Sequence, residues 1–190
     1  MTFRLLPDDQ WFRSKNGNGV LAGSPLTYFG VTDAGAKILD AIETNSELPQ
    51  NHSQLTDRLL ATGAVHPVPD NSVELSDITV VIPAFIVDAE SHAYLEKLVA
   101  SLHGLTVIIV DDASPFSVHL NGVHIVRHDT NKGPAAARNT GIAVVATKVV
   151  ACVDTDVMVT TAQIAKLAAY VTDSRIGAVA PRITCINDRT

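Results

Sequence analysis

Thr79-Val-Val-Ile-Pro-Ala84 and, one helix further on, Thr106-Val-Ile-Ile-Val-Asp-Asp112 decide the architecture of this chain. The first is a β-rich apolar run. The second is apolar on both faces, as a strand inside a parallel sheet should be. Between them, Leu95, Leu98, Val99 and Leu102 recur at i, i+3, i+4 and i+7. That spacing puts them on one face of a helix over Asp88 to His103, which Gly104 ends. Further along, Val123-His-Ile-Val126 reads as a third strand, Pro134 to Ala146 as an alanine-rich helix and Val149-Val-Ala-Cys-Val153 as a fourth strand. Ile164, Leu167, Ala168 and Val171 mark another helix, and Ile176-Gly-Ala-Val-Ala180 a last strand. This alternation predicts an α/β module with a mostly parallel, open sheet covered by helices. In such sheets ligands bind beyond the carboxyl ends of the strands.

That rule makes the acids informative. Asp111 and Asp112 follow the second strand, and Asp154 and Asp156 follow the fourth, so four carboxylates are expected along one edge. Residues i and i+2 of an extended chain point the same way, so Asp154 and Asp156 can address one ion. Carboxylate oxygens suit Mg²⁺ or Mn²⁺, which bridge onward to phosphates. Between the two acid pairs lies Asn131-Lys-Gly-Pro-Ala-Ala-Ala-Arg-Asn139. Gly133 permits a tight turn and Pro134 suits the first helical position, so a helix opens there. Its free N–H groups, with Lys132 and Arg138, favour a diphosphate. The plainer reading is a set of loop-start acids and a capped helix with solvated basic residues. The acids and the helix start together point to a nucleoside-diphosphate site.

Working backward, His66-Pro-Val-Pro-Asp-Asn-Ser-Val-Glu-Leu-Ser-Asp77 has two prolines and no clear periodicity, and reads as a linker over 66–77. It separates residues 1–65 from a larger module over 78–190. The first module reads as a small α+β, winged-helix-like domain. Leu26 to Val31 suggests a strand, and Thr32 an N-cap for a helix with Ile38, Leu39 and Ile42 on one face. Ser53 is placed to cap a second helix carrying Leu55, Leu59 and Leu60, and Gly63 to end it.

Composition sets the outer bounds. The chain has 190 residues, 46% hydrophobic and 18% charged, which excludes a disordered or coiled-coil chain. A net charge of −6 without a basic tract argues against nucleic acid as a partner. No apolar run approaches the roughly 20 residues that cross a bilayer, so no membrane span is expected. Cys152 and Cys185 have neither zinc spacing nor a disulfide framework, and read as buried reduced thiols of a cytosolic protein. Gly17-Asn-Gly19 follows no strand and is no dinucleotide loop. The seven histidines lack metal-ligand spacing, and Ser114 and Ser117 lack a nucleophile elbow.

Four ordered stretches resemble family two glycosyltransferases: Val80 to Phe85, Val107 to Ser114, Asn131 to Asn139 and Val-Asp-Thr-Asp at 153–156. The resemblance covers about residues 77–181. It implies the GT-A fold, with a Rossmann-like nucleotide-binding half before an acceptor half, and sugar transfer from a nucleotide donor with inversion. By that resemblance Pro83, Ala84 and Phe85 line the nucleoside pocket, Asp111 contacts the base (typically uracil), and Asp112 supports that loop. Lys132 and Arg138 lie by the diphosphate. Asp154 and Asp156 form the Asp-x-Asp element for Mn²⁺ or Mg²⁺, with Asp156 the direct ligand. One departure stands out. The family usually has Asn-Glu after the first motif's aromatic, whereas this chain has Ile86-Val87, leaving Asp88 and Glu90 as candidates for the ribose contact.

Pro25 to Asp40 and Asp57 to Pro67 resemble the small peptide-recognition domain of the pyrroloquinoline-quinone chaperone type. That module joined to a family two transferase is similar to the glycosyltransferases of the mycofactocin system. The resemblance implies a UDP-sugar donor, UDP-glucose, and a peptide-derived acceptor. In this family the catalytic base lies well downstream of Asp-x-Asp, so it is expected beyond Thr190. The expectation is a truncated transferase that binds donor without turning it over, with an exposed apolar edge at its last strand. Two other readings compete. A nucleotidyltransferase would carry a Gly-rich loop after the first strand, where this chain has Phe85-Ile-Val87; a non-catalytic peptide-binding protein would use the first module alone.

Overall fold

The computed structural model describes residues 4–50, 52–69, 72–174, 176–181 and 183–184, and the chain forms two compact units, Met1–Asp70 and Asn71–Thr190. In the first unit, strands β1 (Arg4–Pro7), β2 (Phe12–Arg13), β3 (Gly19–Ala22) and β4 (Thr27–Gly30) precede helices α1 (Asp33–Glu43) and α2 (Ser53–Ala61) and strand β5 (Val65–Val68). β1 pairs antiparallel with β5, and β2, β3 and β4 form a second antiparallel sheet. Thr32 caps α1 through the Gly35 N–H, and Ile38, Leu39 and Ile42 are buried as their spacing requires. Ser53 is not the cap of α2. His52 takes that position in a conformation that is already helical, which makes Ser53 the first helical residue. Val20, Phe29, Leu39, Ile42, Leu59 and Val65 form the core of this unit.

The linker expected from His66 begins later. His66, Pro67 and Val68 continue β5, because β1 offers them a partner strand that no local periodicity could reveal. Leu75–Asp77 forms one turn of 3₁₀ helix directly before the second unit's first strand.

The second unit runs β6 (Ile78–Ala84), α3 (Ala89–Ser101), β7 (Thr106–Asp111), β8 (His124–Arg127), α4 (Pro134–Ala143), β9 (Val149–Cys152) and α5 (Thr161–Ala168). Its sheet has the order β8-β7-β6-β9, and every pairing is parallel. β6 is buried along its whole length, as its uninterrupted apolar sequence demands. Val80, Ile82 and Ile109 face a core shared with Leu95 and Leu98 of α3 and Ile164 of α5. Val81, Ile108 and Val110 face the other way, toward Ala137 of α4. Helices therefore cover both faces. α4 comes so close that a Cβ on Gly141 would lie 2.4 Å from Val81 Cγ1.

Strand order reverses beside β6: the chain builds outward through β7 and β8, then returns to place β9 on the opposite side. Pro83 fits this point. Val81 accepts the Val153 N–H from the β9 side, and residues two apart present their backbone to the same neighbour. Pro83 thus turns its missing N–H toward the side where β9 has already ended.

Three local expectations need correction. Residues 176–181 form no strand: β9 stays at the sheet edge among the described residues, and this segment makes no ladder with it. The helix of α4 stops at Ala143, where Val144 and Val145 turn back onto Gly141 and Ile142; paired β-branched residues propagate a helix poorly. Cys152 is exposed rather than buried, since it ends an edge strand; Cys185 lies outside the described residues. Along that edge an open groove of about 910 Å³ runs past Val150, Cys152, Val179 and Ile183. Val150, Val179 and Ile183 are exposed apolar side chains there.

Candidate functional site

The carboxyl ends of β6, β7, β8 and β9 carry the predicted residues. Ala84 and Asp111 are register partners at the ends of β6 and β7, and the Asp112 N–H donates to Ala84 O at 2.8 Å. Of Pro83, Ala84 and Phe85, only Phe85 is exposed; the other two are buried in the strand. Asp88, a candidate ribose contact, is occupied as the N-cap of α3. It accepts the Ser91 N–H at 2.8 Å, and this bond holds its carboxyl below the ordinary value. Glu90 lies in the exposed first turn of the same helix.

Asp111 is 2% exposed, and both its oxygens are used. Oδ1 accepts the Ser114 N–H at 2.9 Å, and Oδ2 accepts from the Arg127 guanidinium. Arg127 also donates to Ser114 O at 3.0 Å, and Ser114 Oγ accepts the Ile86 N–H at 2.8 Å. This chain of bonds ties the β6, β7 and β8 ends into one rim. Ala113, within the turn, holds φ at +60°, a left-handed conformation costly to a residue with a Cβ.

Asp112 does a different job. Its Oδ1 accepts the Lys132 N–H at 2.9 Å and its Oδ2 the Gly133 N–H at 2.7 Å. Gly133, at φ +84°, is the N-cap of α4 and no side chain caps that helix; Asp112, just past the end of β7, instead holds the two N–H groups that lead into it. Pro134 follows as the first helical residue, as the sequence predicts. His128 Nδ1 lies 2.7 Å from Asp112 Oδ1. Burial pushes the Asp112 carboxyl up, but bonds from His128, Lys132 and Gly133 outweigh it, and the group sits below its ordinary value.

The other acid pair is open. Asp154 is exposed and accepts from Arg138 of α4, which links the end of β9 to the same helix start. Asp156 and the Lys132 side chain are exposed and make no hydrogen bond or ion pair among the described residues. The four acids therefore do not gather as one cluster. Two are consumed in building the rim and the helix start, and two stay at the surface. Among the described residues no three His, Cys, Asp or Glu side chains are grouped to hold a metal. Asp154 and Asp156 still fit a hard cation that takes one or two carboxylates and completes its shell with water and phosphate. Partial burial pushes the neighbouring Cys152 thiol above its ordinary value.

Arg127 and His128 were not singled out by sequence reasoning. The signal was available, since both stand at the carboxyl end of the third strand, where the sheet-edge rule places ligand groups. Among the described residues no helix is long and apolar enough to cross a membrane.

The family model for glycosyl transferase family 2 matches residues 79–190. Two curated relatives, pre-mycofactocin glycosyltransferases from two strains of Mycobacterium tuberculosis, are each 34% identical over 180 residues, covering 90% of this chain and 37% of their own length. The chain thus spans a little over a third of those relatives. Among solved structures, a mannosyltransferase from Pyrobaculum calidifontis in complex with GDP-Man and Mn²⁺ is 19% identical, with a TM-score of 0.48 over 66% of this chain and 40% of that one. The match over more than half its length places the chain in glycosyl transferase family 2.

Proposed function

We propose that this chain carries the donor side of a GT-A glycosyltransferase that moves glucose from UDP-glucose, with inversion, to a hydroxyl of a peptide-derived acceptor related to mycofactocin. One observation supports this reading above the others. Asp112 reaches across the sheet edge to hold Lys132 and Gly133, which fixes a helix start between the ends of β7 and β9. A helix start held there offers free N–H groups and a positive dipole end to a diphosphate. The relatives' name supports the acceptor class, and the first unit is assigned to recognition of a peptide precursor.

Each residue then has a role. Phe85 forms the nucleoside wall, backed by Pro83 and Ala84. Asp111 marks the base end, with Arg127 held beside it. Lys132 and Arg138 attend the diphosphate, Arg138 leaving Asp154 as the donor enters. Asp154 and Asp156 hold Mn²⁺ or Mg²⁺, which when bound would neutralise charge on the departing diphosphate. The acceptor hydroxyl attacks the anomeric carbon, UDP leaves, and the hydroxyl proton passes to a general base. No described residue is assigned as that base.

Calorimetric titration of UDP and UDP-glucose, with and without Mn²⁺, tests the reading alongside Asp156→Ala. Metal-dependent binding that the variant loses is the expected result. A folded protein that binds neither nucleotide overturns it.

A further inference from the structure

We propose that His128 is a positioning residue for the donor diphosphate, acting through Asp112 on the start of α4; this rests on the donor-site reading above. His128 is buried, with its side chain 6% exposed, and both ring nitrogens are engaged. Nδ1 lies 2.7 Å from Asp112 Oδ1, and Nε2 lies 2.9 Å from Thr140 Oγ1 of α4. Its backbone N–H donates to Asp111 O at 2.9 Å, which fixes the ring's root at the sheet edge.

The hydrogen-bond chemistry sets the direction of this relay. An ionised carboxylate only accepts, so Nδ1 carries the proton toward Asp112. Thr140 can donate to a neutral Nε2 or accept from a protonated one, so the ring is satisfied in either state. His128 therefore holds one oxygen of the carboxylate that also grips the Lys132 and Gly133 N–H groups. The ring's far end is anchored to the body of the same helix whose lead-in, Lys132-Gly133, Asp112 holds. Start and middle of α4 are tied to one rigid imidazole. Removing it leaves Asp112 held only by the Lys132 and Gly133 N–H groups, so the carboxylate and the helix start it holds lose their tie to the body of α4.

The consequence is specific to phosphate number. A nucleoside monophosphate depends mainly on the base and ribose contacts, whereas a diphosphate must also meet the start of α4. The test measures Kd for UMP and for UDP with Mn²⁺ by calorimetry on the full chain, for wild type, His128→Ala, His128→Asn and Thr140→Val. Loss of one hydrogen bond to a charged group corresponds to about a tenfold loss. His128→Ala is expected to weaken UDP by about that factor while UMP changes less than about twofold. His128→Asn, whose carboxamide can still donate to Asp112, recovers most of the loss. Thr140→Val, which removes only the far anchor, weakens UDP by an intermediate amount and covers the case in which His128→Ala does not fold. Parallel losses of UMP and UDP, or no loss in His128→Ala or Thr140→Val, overturn the role of His128. A wild-type protein that binds neither nucleotide overturns the donor-site reading and this inference with it.

Discussion

Arg127 and Asp111 face each other at the ends of two neighbouring parallel strands, and the register that pairs them also lets Arg127 reach the Ser114 carbonyl. Asp111 is buried while Arg127 is half exposed, so the pair is asymmetric. Truncating the arginine strands a buried charge. Truncating the aspartate releases a cation into water.

Arg127→Ala should therefore destabilise the second unit by about 1–2 kcal/mol, discounted for the arginine's exposure to solvent. Asp111→Asn, which keeps the Ser114 bond, should cost less. Urea unfolding of both variants checks the order, and an equal cost would show that stranding the buried Asp111 charge adds nothing beyond the loss of the pair.

Asp112→Asn exchanges an acceptor-only carboxylate for a group with one acceptor oxygen, so it cannot serve His128, Lys132 and Gly133 together. The expected cost near neutral pH is about 2 kcal/mol. The sign with pH follows from linkage. The folded carboxyl sits below its ordinary value of 3.8, so its contribution is complete above that value and fades as pH falls through the lower folded one. The gap between wild type and Asp112→Asn should shrink in strong acid, as equilibrium unfolding at pH 7 and near pH 2 would reveal.

Gly141→Ala sets helix propensity against space. Alanine is favoured in a helix by about 1 kcal/mol over glycine. Here its Cβ would meet Val81 Cγ1 at 2.4 Å and Val110 Cγ2 at 3.1 Å, both on the sheet face under α4. Overpacking of this kind costs about 1–3 kcal/mol, so the net effect should be destabilising. A raised melting temperature in this variant would mean that α4 sits further from the sheet.

Cys152 should alkylate slowly for an exposed thiol. The thiolate is the reactive form, and a raised pKa leaves less of it at neutral pH. In a Cys185→Ser background, the iodoacetamide rate at Cys152 should still be climbing above pH 9. A plateau below pH 8 would contradict the partial burial that raises its pKa.

Much of the second unit was legible in the sequence because its strands are continuous apolar runs. β6 and β7 read as buried strands from Val80, Ile82, Ile108 and Val110 alone, and Gly133-Pro134 announced the start of α4. What escaped was tertiary pairing. β5 looked like a linker because Pro67 hides its pattern and its partner is β1, at the far end of the unit. The segment 176–181 looked like a strand because apolar composition does not show whether a run will form a ladder with the edge beside it. The acids were found by the sheet-edge rule, but their division of labour was not. Spacing shows that Asp111 and Asp154 each end a strand; it does not show that Arg127 and Arg138 each claim one of them.

The position of β6 has a consequence for synthesis. As the first strand of its sheet to emerge from the ribosome, it can pair early with β7 on one side, because α3 and a short turn bring β7 back promptly. Its other side must wait for Val149–Cys152 to be made. Through that interval the Ile78–Val81 edge is an uncovered template for stray strands, the condition under which nascent chains mispair or recruit chaperones. Ribosome stalling between α4 and β9 should thus yield the most aggregation-prone nascent form of this protein, and stalling soon after β9 clears the exit tunnel a much safer one.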